Sequence, residues 1–177
     1  MKTTKLLIIT IMMISLVGCW FNNDLDEVGL PPVTQSGENT FGMLLDGEPW
    51  KPTSLSEFLN STNVYFKPTR EFLSIHVSNT SKKEDLWLYA KGIKSVGLYT
   101  ISSIDESITP VCIDSTRLES NNSCNESFKL SNDGKNQLHI TRLDTIDRIV
   151  SGTFFFDMIN PHGETIEISE GRFDFEF

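Results

Sequence analysis

The sequence predicts an all-β fold, either an antiparallel β-sandwich or a half-open β-barrel of about nine or ten short strands. Three observations indicate this class. Apolar residues recur at every second position through the C-terminal third, as in Phe173, Phe175 and Phe177. No stretch shows a long helical period of about 3.6 residues. Turn signals such as Asp46-Gly47 separate the short apolar runs.

The first nineteen residues have the features of an export signal. A basic head, Met1 to Lys5, precedes an apolar run from Leu6 to Val17. This run is shorter than the roughly twenty residues that a membrane-spanning helix needs. Leu16-Val17-Gly18-Cys19 resembles the lipobox of bacterial lipoproteins, which implies a signal peptide over 1–18 and acylation of Cys19. An ordinary signal, cleaved or uncleaved, with Cys19 there by chance is the alternative.

Residues 19–39 are predicted to form a flexible tether. The segment is rich in Asn, Asp, Pro and Gly and shows almost no apolar periodicity, so it has little apolar surface with which to offset the entropy of the chain. Its acidic stretch, Asp24 to Glu27, is interpreted as solvated linker, although surface-export signals of some Bacteroidota lipoproteins have a similar composition.

A single all-β domain is predicted over 40–177. Its first hairpin turns at Asp46-Gly47, and a half-buried strand carries Leu73, Ile75 and Val77. The run Leu86–Ala90 is apolar on both faces, which predicts a strand covered on two sides. The short apolar runs 111–113 and 128–130 are expected to pair with each other, and Phe side chains near the C-terminus are expected to dominate the core.

Charge and cysteine content restrict the possible partners and cofactors. The chain of 177 residues has a formal net charge of −9, which becomes −11 when Lys2 and Lys5 leave with the signal, so nucleic acid is not expected as a partner. Cys112 and Cys124 are predicted to form a disulfide in an oxidising compartment, worth about 3 kcal/mol. Zinc ligation would need further Cys or His at short spacing, so neither metal nor cofactor is expected.

The motifs and aromatic residues of the sequence favour binding over catalysis. The sequence has no Gly-x-Ser-x-Gly elbow and no Gly-rich phosphate loop, so the protein is predicted not to be an enzyme. The best candidates for ligand contact are Trp50, Trp87 and Tyr89, whose rings could stack on a sugar. The alternative places Trp87 and Tyr89 in the core and Trp50 at a sheet edge.

Three segments taken together resemble a known family. They are Phe41-Gly42 to Trp50, Ile149 to Phe156, and Ile168 to Phe173. In this order they are similar to an uncharacterised family of β-rich lipoproteins from Bacteroidota, each with a lipobox and one domain of unknown function. The resemblance covers about residues 40–177 and implies the anchor and the all-β fold. It implies no catalytic residues.

These observations predict a lipid-anchored protein of the cell envelope, at the outer membrane, with the periplasmic or surface side left open. It would contact the bilayer through acylated Cys19 and act as a non-enzymatic binding module for a glycan or an envelope protein. A barrel-type carrier of a small ligand is the alternative, and an enclosed apolar cavity would favour it. A hydrolase is the third hypothesis.

Overall fold

The fold is described from a computed structural model, which covers residues 25–53, 62–82, 84–101, 112–114, 128–132 and 135–177. These residues form eleven β-strands and a short 3₁₀ turn at Pro68–Arg70. The strands are β1 (Thr40–Leu45), β2 (Glu48–Trp50), β3 (Thr62–Lys67), β4 (Phe72–Asn79), β5 (Glu84–Lys91), β6 (Gly97–Thr100), β7 (Cys112–Asp114), β8 (Lys129–Leu130), β9 (Gln137–Asp144), β10 (Ile149–Ile159) and β11 (Thr165–Glu176). The all-β prediction is confirmed.

The strands form two sheets, and all of their pairings are antiparallel. The first sheet has the order β2-β1-β11-β10-β9-β6, with β8 also beside β10, and the second has the order β3-β4-β5-β7. The inner faces of the two sheets share one buried cluster of apolar side chains. The sheets do not close into one barrel, so the architecture is a β-sandwich.

The core is built by the alternation that the sequence predicts. Leu73, Ile75 and Val77 of β4 are all 0% exposed. Facing them, the first sheet contributes five phenylalanines whose ring centroids lie 5.2 to 6.4 Å from their neighbours: Phe41, Phe154, Phe156, Phe173 and Phe175. Burial of each Phe side chain contributes about 1.5–3 kcal/mol. The prediction that Phe residues dominate this part of the core is confirmed.

The first hairpin has the turn that its sequence requires. Asp46 and Gly47 both have positive φ, 49° and 81°, and they connect β1 to β2. A two-residue turn with two positive φ angles matches the twist of the flanking strands, and Asp-Gly is a favoured pair for it.

The pairing expected between the runs 111–113 and 128–130 is wrong. β7 pairs with β5 in the second sheet, with Cys112 opposite Trp87. β8 pairs with β10 in the first sheet, with Leu130 opposite Met158. Nearness in sequence favoured the local hairpin, but each short strand instead extends a sheet that longer strands have already formed.

Residues 25–39, here called the N-terminal arm, pack along the outer face of the first sheet. Leu30 is 0% exposed, and Pro31 lies over Gly42, where an added Cβ would approach the proline Cδ to 2.6 Å. The Arg172 guanidinium of β11 binds Asp26 Oδ2 at 2.6 Å and the Pro31 carbonyl oxygen at 3.2 Å. Asp26 also accepts hydrogen bonds from the Val28 and Leu30 backbone N–H groups.

The second attachment of the arm is the carboxylate of Asp174, which is 1% exposed. It accepts hydrogen bonds from the backbone N–H groups of Ser36, Gly37 and Glu38 at 3.0 to 3.1 Å. It also accepts one from Ser151 Oγ at 2.6 Å. Because an ionised carboxylate can satisfy several donors at once, this one side chain orders a turn of the arm.

The prediction of a flexible tether over 19–39 is therefore corrected for residues 25–39, and residues 19–24 lie outside the described ranges. The composition of the arm predicted disorder because it offers few apolar side chains. The arm is held instead by hydrogen bonds to Arg172 and Asp174, which the alternation of β11 directs outward. Within the described residues, no helix is long and apolar enough to cross a membrane.

Candidate functional site

Trp50, one of the three predicted binding residues, lies in the core. It is 1% exposed, and its ring meets the Phe41 ring edge to face, with centroids 6.0 Å apart. Its indole Nε1 donates a hydrogen bond to Glu84 Oε2 at 2.6 Å, which links the two sheets. Since the buried ring has no face left for a ligand, Trp50 is removed from the candidate binding residues.

Trp87 and Tyr89, the other two, lie on the outer face of the second sheet. Their β5 neighbours Leu86, Leu88 and Ala90 point into the core, so the alternation of the strand turns the two rings outward, where they are half-buried. The expectation that this strand is covered on both sides, and the alternative that its aromatic residues are core, are both corrected.

The structure adds two residues of β4 to this pair. Phe72 lies beside Tyr89 with ring centroids 6.0 Å apart, and Tyr89 lies beside Trp87 at 5.9 Å. His76 stacks on the indole of Trp87 with centroids 3.6 Å apart and planes 15° from parallel. These four residues, Phe72, Tyr89, Trp87 and His76, are called the aromatic row.

His76 determines which face of Trp87 is available. Its imidazole covers one face of the indole, and the Tyr89 ring lies only 24° from parallel to the indole, so a ligand could stack only on the part of the indole that these two rings leave exposed. His76 Nε2 lies 3.6 Å from Asp85 Oδ1, and the Ser78 hydroxyl donates a hydrogen bond to the same carboxylate oxygen. These contacts place the Asp85 carboxylate beside the imidazole at this end of the row.

The polar end of the row does not have the arrangement of a nucleophilic serine. Ser78 is 0% exposed, and its hydroxyl hydrogen goes to Asp85, whereas a serine nucleophile is accessible to substrate and donates its hydrogen to a base such as histidine or lysine. Partial burial raises the pKa of the Tyr89 phenol, partly opposed by a hydrogen bond with Ser74. Tyr89 therefore stays protonated at neutral pH and can donate a hydrogen bond.

Two open grooves, formed by described residues, lie elsewhere on the surface. The first has a volume of about 460 Å³ and the second of about 450 Å³. One lies between β3 and the C-terminal Phe177, and the other crosses the outer face of the first sheet between Val33 and Leu98. Neither includes the aromatic row. A ring face that binds by stacking needs no concave pocket, so the row stands as a separate candidate.

The sequence predicts acylation of Cys19 and a disulfide between Cys112 and Cys124. Cys19 and Cys124 lie outside the described residues, and Cys112 is described only as part of β7. The acylation of Cys19 and the Cys112–Cys124 disulfide stay predictions. In the part of the chain that the structure describes, no group of three His, Cys, Asp or Glu side chains could hold a metal ion.

Comparison with known proteins adds no assignment. No family model, curated protein or solved structure matches the chain. The candidate site therefore depends on its own geometry. Sequence reasoning found Trp87 and Tyr89 but missed Phe72 and His76, because these join the row only through the register between β4 and β5. Alternation in β4 does predict that both point outward, and that is the one signal the sequence offers.

Proposed function

We propose that this protein is a bacterial lipoprotein, anchored through acylated Cys19, whose β-sandwich is a non-enzymatic module that binds an envelope glycan. The aromatic row is the observation that carries the proposal. It presents four half-buried rings side by side on the outer face of the second sheet, and such rings combine apolar area with a defined stacking geometry. The resemblance to β-rich lipoproteins of Bacteroidota forms part of the same proposal.

The core favours a binding module over the alternative of a small-ligand carrier. A carrier needs an enclosed apolar cavity. Between the sheets, the five clustered phenylalanines and the aliphatic side chains of β4 and β5 occupy the interior, and the two grooves described above open to solvent. The hydrolase hypothesis has less support, since the buried Ser78 donates its hydrogen bond to a carboxylate.

The docked arm would keep the domain close to its membrane. On this proposal only residues 20–24 separate the acylated Cys19 from Leu25, where the described arm begins. The six residue-to-residue steps from Cys19 to Leu25 reach at most about 22 Å, whereas a tether extending to residue 39 would reach several times further. The module would then bind ligands at the membrane surface, and would not search a wide volume around its anchor.

The Cys19→Ala variant is expected to leave the membrane fraction and to lose incorporation of labelled palmitate. Each buried methylene contributes about 0.8 kcal/mol, so two or three acyl chains hold a protein stably and their removal releases it. Fractionation of cells that express the parent and the variant measures this. Cys112→Ser, which removes a different cysteine and leaves Cys19 in place, should stay with the membranes. Equal labelling and equal partitioning of Cys19→Ala and the parent would contradict the anchor.

The Trp87→Ala and Tyr89→Ala variants are expected to weaken glycan binding by roughly two- to tenfold each, since an aromatic contact is worth about 0.5–1.5 kcal/mol beyond its buried area. The measurement is a titration of the full-length protein in detergent micelles with a panel of neutral and acidic polysaccharides, followed by tryptophan fluorescence. Trp87 is the outward-facing indole among the described residues, so its removal should also abolish the ligand-dependent change in emission.

Leu98→Ala provides the matched control. This residue is 62% exposed on the other sheet, so its loss should change neither affinity nor emission. Circular dichroism should show that the variants of the aromatic row stay folded, because their side chains lie outside the core. A Trp87→Ala protein that binds as tightly as the parent, or a panel in which no polysaccharide binds, would contradict the proposed function.

A further inference from the structure

One end of the aromatic row is basic, although the protein as a whole is acidic. Lys67 of β3 and Lys91 of β5 lie directly opposite Phe72, one on each side. Directly opposed residues of an antiparallel pair share a sheet face, so both lysines project from the same face as the row. The register of the sheet therefore places Phe72 between two lysine residues.

Two further cations lie at the same end. Arg70 is exposed in the 3₁₀ turn that joins β3 to β4. Lys94 Nζ lies 3.5 Å from Glu71 Oε2, with both side chains well exposed. The stretches 67–72 and 91–94 thus contain four basic residues and one acidic residue, in a chain with a formal net charge of −9. These five charged residues, Lys67, Arg70, Glu71, Lys91 and Lys94, are called the basic end.

We propose that the ligand of the aromatic row is an acidic polysaccharide, whose sugar rings stack along Tyr89 and Trp87 and whose carboxylate meets the basic end beside Phe72. This inference rests on the proposed function and assigns a ligand class to the same site. A row of rings about 6 Å apart matches a linear chain better than a single sugar, because it offers successive contacts along one line.

Charges near the basic end determine whether an anionic ligand is attracted or repelled there. At physiological ionic strength the Debye length is about 8 Å, so the acidic residues elsewhere on the surface are largely screened from a ligand at the basic end. Glu71 is paired with Lys94, which leaves Lys67, Arg70 and Lys91 to face an anion. At the opposite end of the row, Asp85 beside His76 disfavours a carboxylate. The two ends together favour a glycan in which acidic and neutral sugars alternate.

The test compares three probes on the full-length protein in detergent micelles. Hyaluronate supplies alternating uronic acid and amino sugar, its methyl ester keeps the sugars but masks the carboxylates, and polyglutamate supplies carboxylates without sugar rings. Hyaluronate is expected to bind about tenfold tighter than the ester. Its affinity should fall as salt is raised, while that of the ester should stay nearly constant.

Variants at the two ends of the second sheet complete the test. The double variant Lys67→Gln/Lys91→Gln should weaken hyaluronate binding about fivefold and leave the ester unchanged, since each exposed ion pair contributes modestly. Lys82→Gln removes an exposed lysine at the turn between β4 and β5, at the other end of the sheet, and should bind like the parent.

Several results would overturn the inference. Equal affinity for hyaluronate and its ester would exclude the carboxylate as a determinant while leaving glycan binding at the row intact. If polyglutamate bound as tightly as hyaluronate, the site would recognise carboxylates without any contribution from sugar rings. Failure of both hyaluronate and its ester to bind would also overturn it, and the wider polysaccharide panel would then decide the proposed function separately. Full retention of hyaluronate binding in Trp87→Ala would exclude the aromatic row as the binding site.

Discussion

Replacing Asp174 with alanine is expected to lower the free energy of unfolding by about 3 kcal/mol and to release the N-terminal arm. The carboxylate is buried and accepts hydrogen bonds from three backbone N–H groups of the arm and from Ser151 Oγ. Its removal leaves those donors without their acceptor, and hydrogen bonds to a charged group are worth about 1.5–3 kcal/mol each before the arm relaxes into water. Urea denaturation measures the stability, and limited proteolysis within residues 25–39 measures the release.

Two other substitutions calibrate this effect. Asp174→Asn keeps the shape of the side chain but removes its charge, so its loss of stability should be intermediate. Glu176→Ala removes an exposed carboxylate from the same strand and should be nearly neutral. An Asp174→Ala protein with the unfolding midpoint of the parent, and with an equally protected arm, would show that the arm is held by other contacts.

The same contacts give the Asp174 effect a pH dependence. Burial raises the pKa of Asp174, but hydrogen bonds from the Ser151 hydroxyl and from the Glu38 and Gly37 backbone N–H groups outweigh it, so the pKa lies below its usual value. A carboxyl whose folded pKa is lowered stabilises the fold fully above its unfolded pKa of about 3.9, and the stabilisation disappears as pH falls through the folded pKa. The stability difference between parent and Asp174→Ala should therefore be constant near neutral pH and shrink below about pH 4.

Gly171→Ala is expected to cost about 1–3 kcal/mol, a large effect for a single methyl group. Gly171 of β11 lies directly opposite Phe154 of β10, and the phenyl ring occupies the space where a Cβ would stand. Phe154 is 4% exposed and packs against Phe41 and Phe156, so the ring cannot move aside without disturbing the core.

A double-mutant cycle shows whether this contact is the cause. Phe154→Ala alone should cost about 3–5 kcal/mol. In the Phe154→Ala background, adding Gly171→Ala should cost little, because the ring that would clash is gone. Chemical denaturation of the four proteins gives the coupling. If Gly171→Ala is as costly without the ring as with it, the backbone of β11, and not its packing on Phe154, requires glycine.

Sequence patterns predicted the local features of this fold but not the long-range ones. The alternation in β4 and in the last two strands predicted the faces that Leu73, Ile75, Val77 and the core phenylalanines occupy. The same alternation directed Arg172 and Asp174 outward, yet both are buried, because the N-terminal arm covers them. Their partners in the arm lie more than 130 residues away in the chain, so no window of sequence contains the interactions that cover them.

The candidate site likewise contains residues that the sequence indicates and residues that only the structure adds. Trp87 and Tyr89 stand out in the sequence as aromatic residues, but only the register between β4 and β5 adds His76 and Phe72, and only the sandwich assigns Trp50 to the core. The lysines beside Phe72 are unremarkable in sequence, because they come from different strands.

The all-β class, the inward-facing positions of the long strands and the Asp46-Gly47 turn follow from local sequence, since each depends on the chemistry of adjacent residues. The pairing of the short strands, the docking of the polar arm and the convergence of rings and lysines on one sheet face follow only from the folded arrangement. Those outcomes depend on free energies summed over contacts between distant parts of the chain, which the order of residues does not show.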